Sequence, residues 1–135
     1  MKEIGNFGIW VNGLCPSICS VITDWNPGVL RSEREYRDSL FSSLKICLPT
    51  ARIETEYRDV GTTIDIYLSW EGVFSTEAVY FELKFNLLKK TDYDRLVGQI
   101  VSLEPNKRNI FIILCGKTDT HLAEQRLYLL SQQRR

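Results

Sequence analysis

Apolar and polar positions along this 135-residue chain fall into blocks of helical and strand period. Between Arg31 and Leu48, the residues Tyr36, Leu40, Leu44 and Leu48 recur one turn apart, which predicts an amphipathic helix over 31–48 that ends before Pro49. Arg52–Tyr57, Thr62–Trp70 and Val79–Leu87 are rich in β-branched and aromatic residues. Short turns between them, one opening at Glu71-Gly72, predict a meander of three strands. Asp92 is expected to cap a helix running to about Leu103, before Pro105. Asn109–Cys115 is a continuous apolar run, the pattern of a strand buried on both faces. Asp119 should open a last helix with Leu122, Leu127 and Leu130 inward. The strand–helix–strand unit over 79–115 implies parallel strands and a right-handed crossover. These elements predict an α/β fold, a three-layer α/β/α sandwich around a central mixed β-sheet.

The first thirty residues are punctuated differently. Gly5, Gly8, Gly13, Pro16, Pro27 and Gly28 break the segment, and Asn12-Gly13 is a strong turn signal. Ile9-Trp10-Val11 and Ser20-Val21-Ile22 are each long enough for a short strand. Residues 1–30 are therefore read as an N-terminal extension of undecided role, a hairpin, a dimer contact or a substrate-facing arm. Trp10 and Trp25 suit any of these. Residues 31–135 form the core domain.

Three charged residues interrupt the strand pattern. In Ala78–Leu87 the alternation places Phe81, Leu83 and Phe85 on one face and Glu82 and Lys84 on the other. Asp65 breaks a second β-rich run, Thr62–Leu68. Burying a carboxylate and an ammonium costs free energy unless each finds a partner. The plain alternative is a solvent-facing edge strand, where alternating polar residues and lysine are normal. A third acid shifts the balance. Glu33 lies one turn before Tyr36 and continues its apolar stripe, so it faces inward, whereas Glu35 points to solvent. Ser32 as N-cap with Glu35 at N3 makes a capping box, and first-turn acids also suit the helix dipole. The box accounts for Glu35 well and for Glu33 only in part. Two acids and a lysine on neighbouring strands form a cluster able to hold a divalent cation through oxygen ligands.

Glu33 on a first helix, Asp65 ending a short hydrophobic strand segment, and then Glu82-Leu83-Lys84 together resemble the PD-(D/E)XK nuclease superfamily. That group includes restriction endonucleases, archaeal Holliday-junction resolvases and RecB-type nucleases. The resemblance covers about residues 31–116 and extends to Tyr93–Ile100 and Asn109–Gly116 as the helix and strand after the lysine. The motifs are short, so specificity lies in their order and spacing. Ile64 stands where the family's proline precedes the aspartate, and Leu103 rather than tyrosine stands four residues after Gln99, which argues against the RecB-type variant. The resemblance implies a restriction-endonuclease-like fold and a metal-dependent nucleic-acid phosphodiesterase, a DNA endonuclease, with Glu33, Asp65, Glu82 and Lys84 as its catalytic set. It further implies Mg²⁺, with Mn²⁺ able to substitute, held by Asp65, Glu82 and the backbone carbonyl of Leu83, and by Glu33 through a water or a second ion. Lys84 would orient the attacking water and stabilise the phosphate. Gln99 is an accessory candidate, against which stands an ordinary flanking role beside Leu96 and Ile100. Cutting a duplex needs two scissions and one domain carries one site, so a C₂ homodimer on nucleic acid is expected. The alternative is a catalytically inactive nuclease-like module for nucleic-acid binding or assembly. An unrelated α/β interaction domain is the third reading.

Composition bounds these readings. With 44% hydrophobic and 25% charged residues, the chain has the make-up of a single globular domain that needs no staple. No apolar run is long enough to span a membrane, and the first residues lack a secretory pattern, so no membrane partner is expected. Four cysteines, at 15, 19, 47 and 115, lack zinc-ribbon spacing. Cys47 and Cys115 read as small core residues; for Cys15 and Cys19 a disulfide and half a metal site both stay open. A reducing, cytoplasmic setting follows most simply. The formal net charge of zero argues against strong non-specific DNA binding, yet Arg31, Arg34, Arg37, Lys89, Lys90, Lys107, Arg108, Arg134 and Arg135 could line a basic rim. His121 is the lone histidine and reads as a surface residue. Without further histidines or a Gly-rich loop, Ser-His-Asp hydrolysis and nucleotide-binding classes lose their signatures.

Overall fold

A computed structural model describes residues 2–4, 7–12, 16–59, 62–71, 76–102 and 110–133. Strands β1 (Lys2–Ile4) and β2 (Phe7–Asn12) precede helices α1 (Pro16–Asp24) and α2 (Glu33–Cys47). Strands β3 (Arg52–Asp59), β4 (Thr62–Glu71) and β5 (Thr76–Phe85) follow, then α3 (Lys90–Ser102), β6 (Ile110–Cys115) and α4 (Thr120–Gln133). The strands form one mixed sheet in the order β1-β2-β6-β5-β4-β3. β5 and β6 are parallel, as expected for strands joined through a helix, and the other pairs are antiparallel.

Helices cover both faces of this sheet. Tyr36, Leu40 and Leu44 of α2 bury the predicted stripe against Phe81, Leu83, Phe111 and Ile113. Tyr93, Leu96 and Ile100 of α3, with Ala123 and Leu127 of α4, pack on Ile110, Ile112 and Leu114. All six residues of β6 are buried, which explains why this strand reads as an unbroken apolar run. The side chain of Leu130 lies outside the described residues.

Two expectations for the first thirty residues change. Ser20-Val21-Ile22 is helical, because Ile18, Val21, Ile22 and Trp25 recur at helical spacing and bury one stripe in the core. The segment read as an extension adds two strands to the sheet, with β2 pairing antiparallel to β6 from Gly8↔Leu114 to Asn12↔Ile110. Asn12 ends β2 while Gly13 lies outside the described residues, as do Cys15 and the side chains of Trp10 and Cys19. The Trp25 indole N–H donates to Ser39 Oγ at 3.0 Å and meets the Tyr36 ring edge-on, tying α1 to α2.

Helix ends follow local chemistry closely. The Ser32 hydroxyl accepts from the Glu35 N–H at 3.1 Å, and Glu35 Oε2 accepts from the Arg31 N–H at 2.7 Å, a capping box whose return bond falls one residue early. Asp119 Oδ1 accepts from the Leu122 N–H and caps α4 as expected. Asp92 does not cap α3: the helix starts earlier, at Lys90, and Asp92 sits in its first turn. Cys47 shares a helix face with Leu40 but is exposed rather than in the core, as the last residue of α2; Cys115 is buried as read.

At the C-terminal ends of β5 and β6 the chain turns through two left-handed residues, Asn86 (φ 54°) and Gly116 (φ 73°). Asn86 donates its N–H to the Cys115 carbonyl at 3.0 Å, and its Oδ1 accepts from the Lys117 N–H at 2.8 Å. A Cβ on Gly116 would meet the Asn86 carboxamide and come within 2.8 Å of the Phe85 ring. Gly116→Ala is therefore expected to destabilise the fold by at least about 1–2 kcal/mol, the left-handed penalty alone, and chemical denaturation would read it. Gly98, with open space around its Cβ position and a place in α3, should instead gain stability as alanine.

Candidate active site

The sheet breaks its own alternation at Asp65. Strand geometry should put Ile64, Ile66 and Leu68 on one face, yet Ile66 and Leu68 join the core under α1 and α2 while Ile64 joins the core under α3 and α4. β3 does the same, with Ile53 on the first side and Tyr57 on the second. The register runs Thr55↔Ile66 and then Tyr57↔Ile64, so Glu56 and Asp65 face each other at the point where both strands roll over. Glu56 has φ 51°, and one left-handed residue is enough to reverse the order of those after it. Across the roll, the Tyr57 ring stacks on Tyr67 with centroids 4.1 Å apart, and Tyr67 meets Tyr80.

The roll separates β4 from β5 and changes what holds them together. Their backbone ladder ends at Ile66↔Phe81. Past that point the Leu83 N–H donates to Asp65 Oδ2 at 2.7 Å, and the Glu82 carboxylate accepts from the Asp65 N–H. Side chains replace the ladder, one carboxylate from each strand. In an extended strand a residue's N–H and C=O point the same way, so the Leu83 carbonyl also faces the gap beside Asp65. Asp65, Glu82 and the Leu83 carbonyl thus meet at one opening between β4 and β5.

Electrostatics at this opening are unfavourable without a counter-charge. Glu82 is buried, with 6% of its surface exposed. Burial, then the neighbouring Asp65 charge, push its carboxyl up to about 8, against the pull of Lys84. Asp65 is raised too, first by burial, while the Leu83 N–H and the Lys84 charge oppose the rise. Glu33, half-buried at the start of α2, is raised by burial and by Asp65 and lowered by Lys84 and Arg37. Each of the four residues singled out in sequence therefore lies within electrostatic reach of the others. Among the described residues, no three His, Cys, Asp or Glu side chains form a metal-holding group, and the oxygen donors at the opening itself are two carboxylates and a main-chain carbonyl. That set still fits Mg²⁺, which takes one or two protein carboxylates and fills its octahedron with water and phosphate oxygens.

Gln99, the accessory candidate, is exposed on α3 and lines a cavity of about 250 Å³ that also contains Lys84. His121 is exposed, as read. Three contributors were missed in sequence. Arg37, counted with the basic rim, has 12% of its side chain exposed and bonds Glu56 Oε1 at 3.0 Å and Asp38 Oδ1 at 3.1 Å. Its charge also acts on Asp65 and Glu33. Glu56 gave no signal, because glutamate carries none of the usual marks of a left-handed position. Arg95 lines the cavity beside Gln99, and its one-turn spacing from that residue was the clue available.

No protein-family model, curated protein or solved structure matches this chain.

The roll at Glu56 generates a test. Glu56→Gly relieves a left-handed penalty of about 1 kcal/mol and loses an exposed ion pair of about 0–1 kcal/mol, so stability should stay near wild type. Glu56→Val cannot take φ 51° without strain and should cost about 1–3 kcal/mol. Equal urea midpoints for the two variants would contradict the left-handed conformation as the origin of the roll.

Proposed function

We propose that this chain is a metal-dependent nucleic-acid phosphodiesterase, a DNA endonuclease of the PD-(D/E)XK type on a restriction-endonuclease-like fold. One observation carries the reading: Asp65 and Glu82 replace the backbone ladder between β4 and β5 and leave a buried acid and a half-buried one with Lys84 beside them. An ordinary sheet would continue its ladder and keep carboxylates at the rim. The run α2-β3-β4-β5-α3-β6, with the parallel β5/β6 pair, supports the same reading, since it follows the order in which the family's motifs were expected.

Asp65, Glu82 and the Leu83 carbonyl would hold Mg²⁺ or Mn²⁺. The bound ion would supply charge neutralisation at the phosphoryl group and a lowered pKa for water. The residues themselves do the remaining work. The Leu83 N–H fixes the Asp65 carboxylate. The Asp65 N–H fixes Glu82. Lys84, on the same face of β5 as Glu82, orients the attacking water and lies against a phosphate oxygen. Glu33 would bind a metal-bound water or a second ion from the α2 side. Arg37 holds Glu56 and so maintains the gap that admits substrate to Asp65. Two scissions of a duplex call for two such sites, so the working form on DNA is a C₂ dimer, which light scattering on the free and DNA-bound protein tests.

Cleavage of a panel of single-stranded, duplex and branched DNA and RNA with Mg²⁺, Mn²⁺ or EDTA tests the reading directly. Lys84→Ala should abolish metal-dependent cleavage while leaving folding and Mg²⁺ binding intact. Glu82→Ala should remove both. A wild-type protein that cuts nothing with any divalent ion, and whose biological activity survives Lys84→Ala, would leave the inactive binding or assembly module in its place.

The raised Glu82 carboxyl gives a pH signature independent of turnover. Its stabilising contribution is full below its ordinary value of 4.5 and declines as pH rises through about 8. Metal-free wild type should therefore melt lower at pH 9 than at pH 6, and Glu82→Gln should flatten that decline. Mg²⁺ should raise the melting temperature more at pH 8.5 than at pH 6, because its ligands must be deprotonated. Equal Mg²⁺ stabilisation at both pH values would remove the acid pair as the binding site.

A further inference from the structure

A cavity of about 250 Å³ lies on the α3 side of Lys84. Its polar walls come from Lys84 and Asn86 at the C-terminal end of β5, and from Asp92, Arg95 and Gln99 on α3, with Leu96 beneath. It lies where the parallel strands β5 and β6 end, a position at which open α/β sheets commonly take ligands. At this size it falls just below the roughly 300–1,000 Å³ of small-molecule pockets, which suits a phosphate with its sugar better than a whole cofactor.

The donors converge. Lys84 and Arg95 bring two positive charges, and among the described residues no ion pair occupies either. The Asn86 Oδ1 is taken by the Lys117 N–H, which leaves its amide NH₂ to donate. Its left-handed backbone and bond to the Cys115 carbonyl hold it in place. Gln99 adds a second amide one turn beyond Arg95. Asp92 is the single acid among the lining residues, one turn before Arg95 on the same helix, while Lys84 also acts on Glu33, Asp65 and Glu82 outside the cavity. Lys84 forms a wall common to this cavity and to the acid pair.

We infer that this cavity binds the phosphate next to the one that is cut in a nucleic-acid strand, with Arg95, Gln99 and Asn86 as its ligands and Lys84 bridging the two phosphates. The inference rests on the nuclease reading for the identity of the strand, but on the cavity alone for phosphate. It assigns Arg95 a binding role and gives Gln99 a task distinct from catalysis.

Fluorescence anisotropy of a labelled short duplex and of its single strand, in EDTA over a series of NaCl concentrations, tests it. Arg95→Ala should weaken binding roughly tenfold for every sequence and lower the slope of log K against log salt by roughly 0.9 on duplex or 0.7 on single strand. Gln99→Ala should weaken binding with the slope unchanged, because it removes no charge. Arg52→Ala, at the start of β3, should do neither. Both Arg95 and Gln99 are exposed, and melting curves confirm that their variants fold. If wild type cuts DNA and Arg95→Ala keeps the wild-type slope, this inference is overturned and the nuclease reading stands. If wild type neither cuts nor binds nucleic acid, the nuclease reading fails, and amide shifts on titrating thymidine 5′-monophosphate decide the cavity. Shifts at Asn86, Arg95 and Gln99 would keep it as a phosphate-ester site, and their absence would overturn it.

Discussion

Two carboxylates sharing one desolvated gap set the terms for everything around them. Burial pushes both Asp65 and Glu82 toward the neutral form, and the Asp65 charge pushes Glu82 further, whereas a side-chain hydrogen bond with Glu82 pulls Asp65 back. Such an arrangement persists only if the surrounding structure enforces it, and here it does. Each acid takes a backbone N–H from the strand opposite, the donor that a regular ladder would have satisfied. The gap therefore leaves no orphaned donor there, although it interrupts the sheet. Lys84 lowers the electrostatic cost without closing the gap, and a divalent cation would lower it further.

The gap is not a property of β4 and β5 alone. It begins on β3, where Glu56 in a left-handed conformation turns the strand over opposite Asp65. Arg37 reaches from α2 to hold Glu56 while its charge also acts on Asp65 and Glu33. One helix thus supplies an acid to the site and a guanidinium to the distortion that makes it. α2 is itself fixed by the capping box at Ser32 and Glu35 and by the Trp25–Tyr36 contact with α1. The first residues of the chain are coupled to the acid pair through this contact, and through β2, which pairs with β6 beside β5.

On the other side of Lys84 the constraint is different. β5 and β6 end together and turn away through Asn86 and Gly116, whose left-handed backbones allow a tight crossing beneath Phe85. That crossing opens the cavity faced by Arg95 and Gln99. Lys84 stands between an acidic gap that suits a cation and a pocket of donors that suits an anion. Under the proposed function, a phosphodiester strand with a metal at one phosphate and arginine at the next would satisfy both at once.

The sequence by itself determined α2, α3 and α4, the meander, the buried β6 and the short list of acids and lysine, because these depend on period and on the cost of charge in an apolar strand. Ser32, Glu35 and Asp119 were legible for the same reason: caps act within a few residues. Period also misled where segments were short, as at Ser20-Val21-Ile22, whose helical stripe shows only when Ile18 and Trp25 are counted with it. Only the tertiary structure decided that both strands roll over at Glu56 and Asp65, that Arg37 is an internal tie, and that Arg95 and Gln99 share a cavity with Lys84. Each of these joins elements distant in the chain, and a left-handed glutamate is not favoured locally. Its conformation is imposed by strands, helix and ion pair together, and no window of sequence contains all of them.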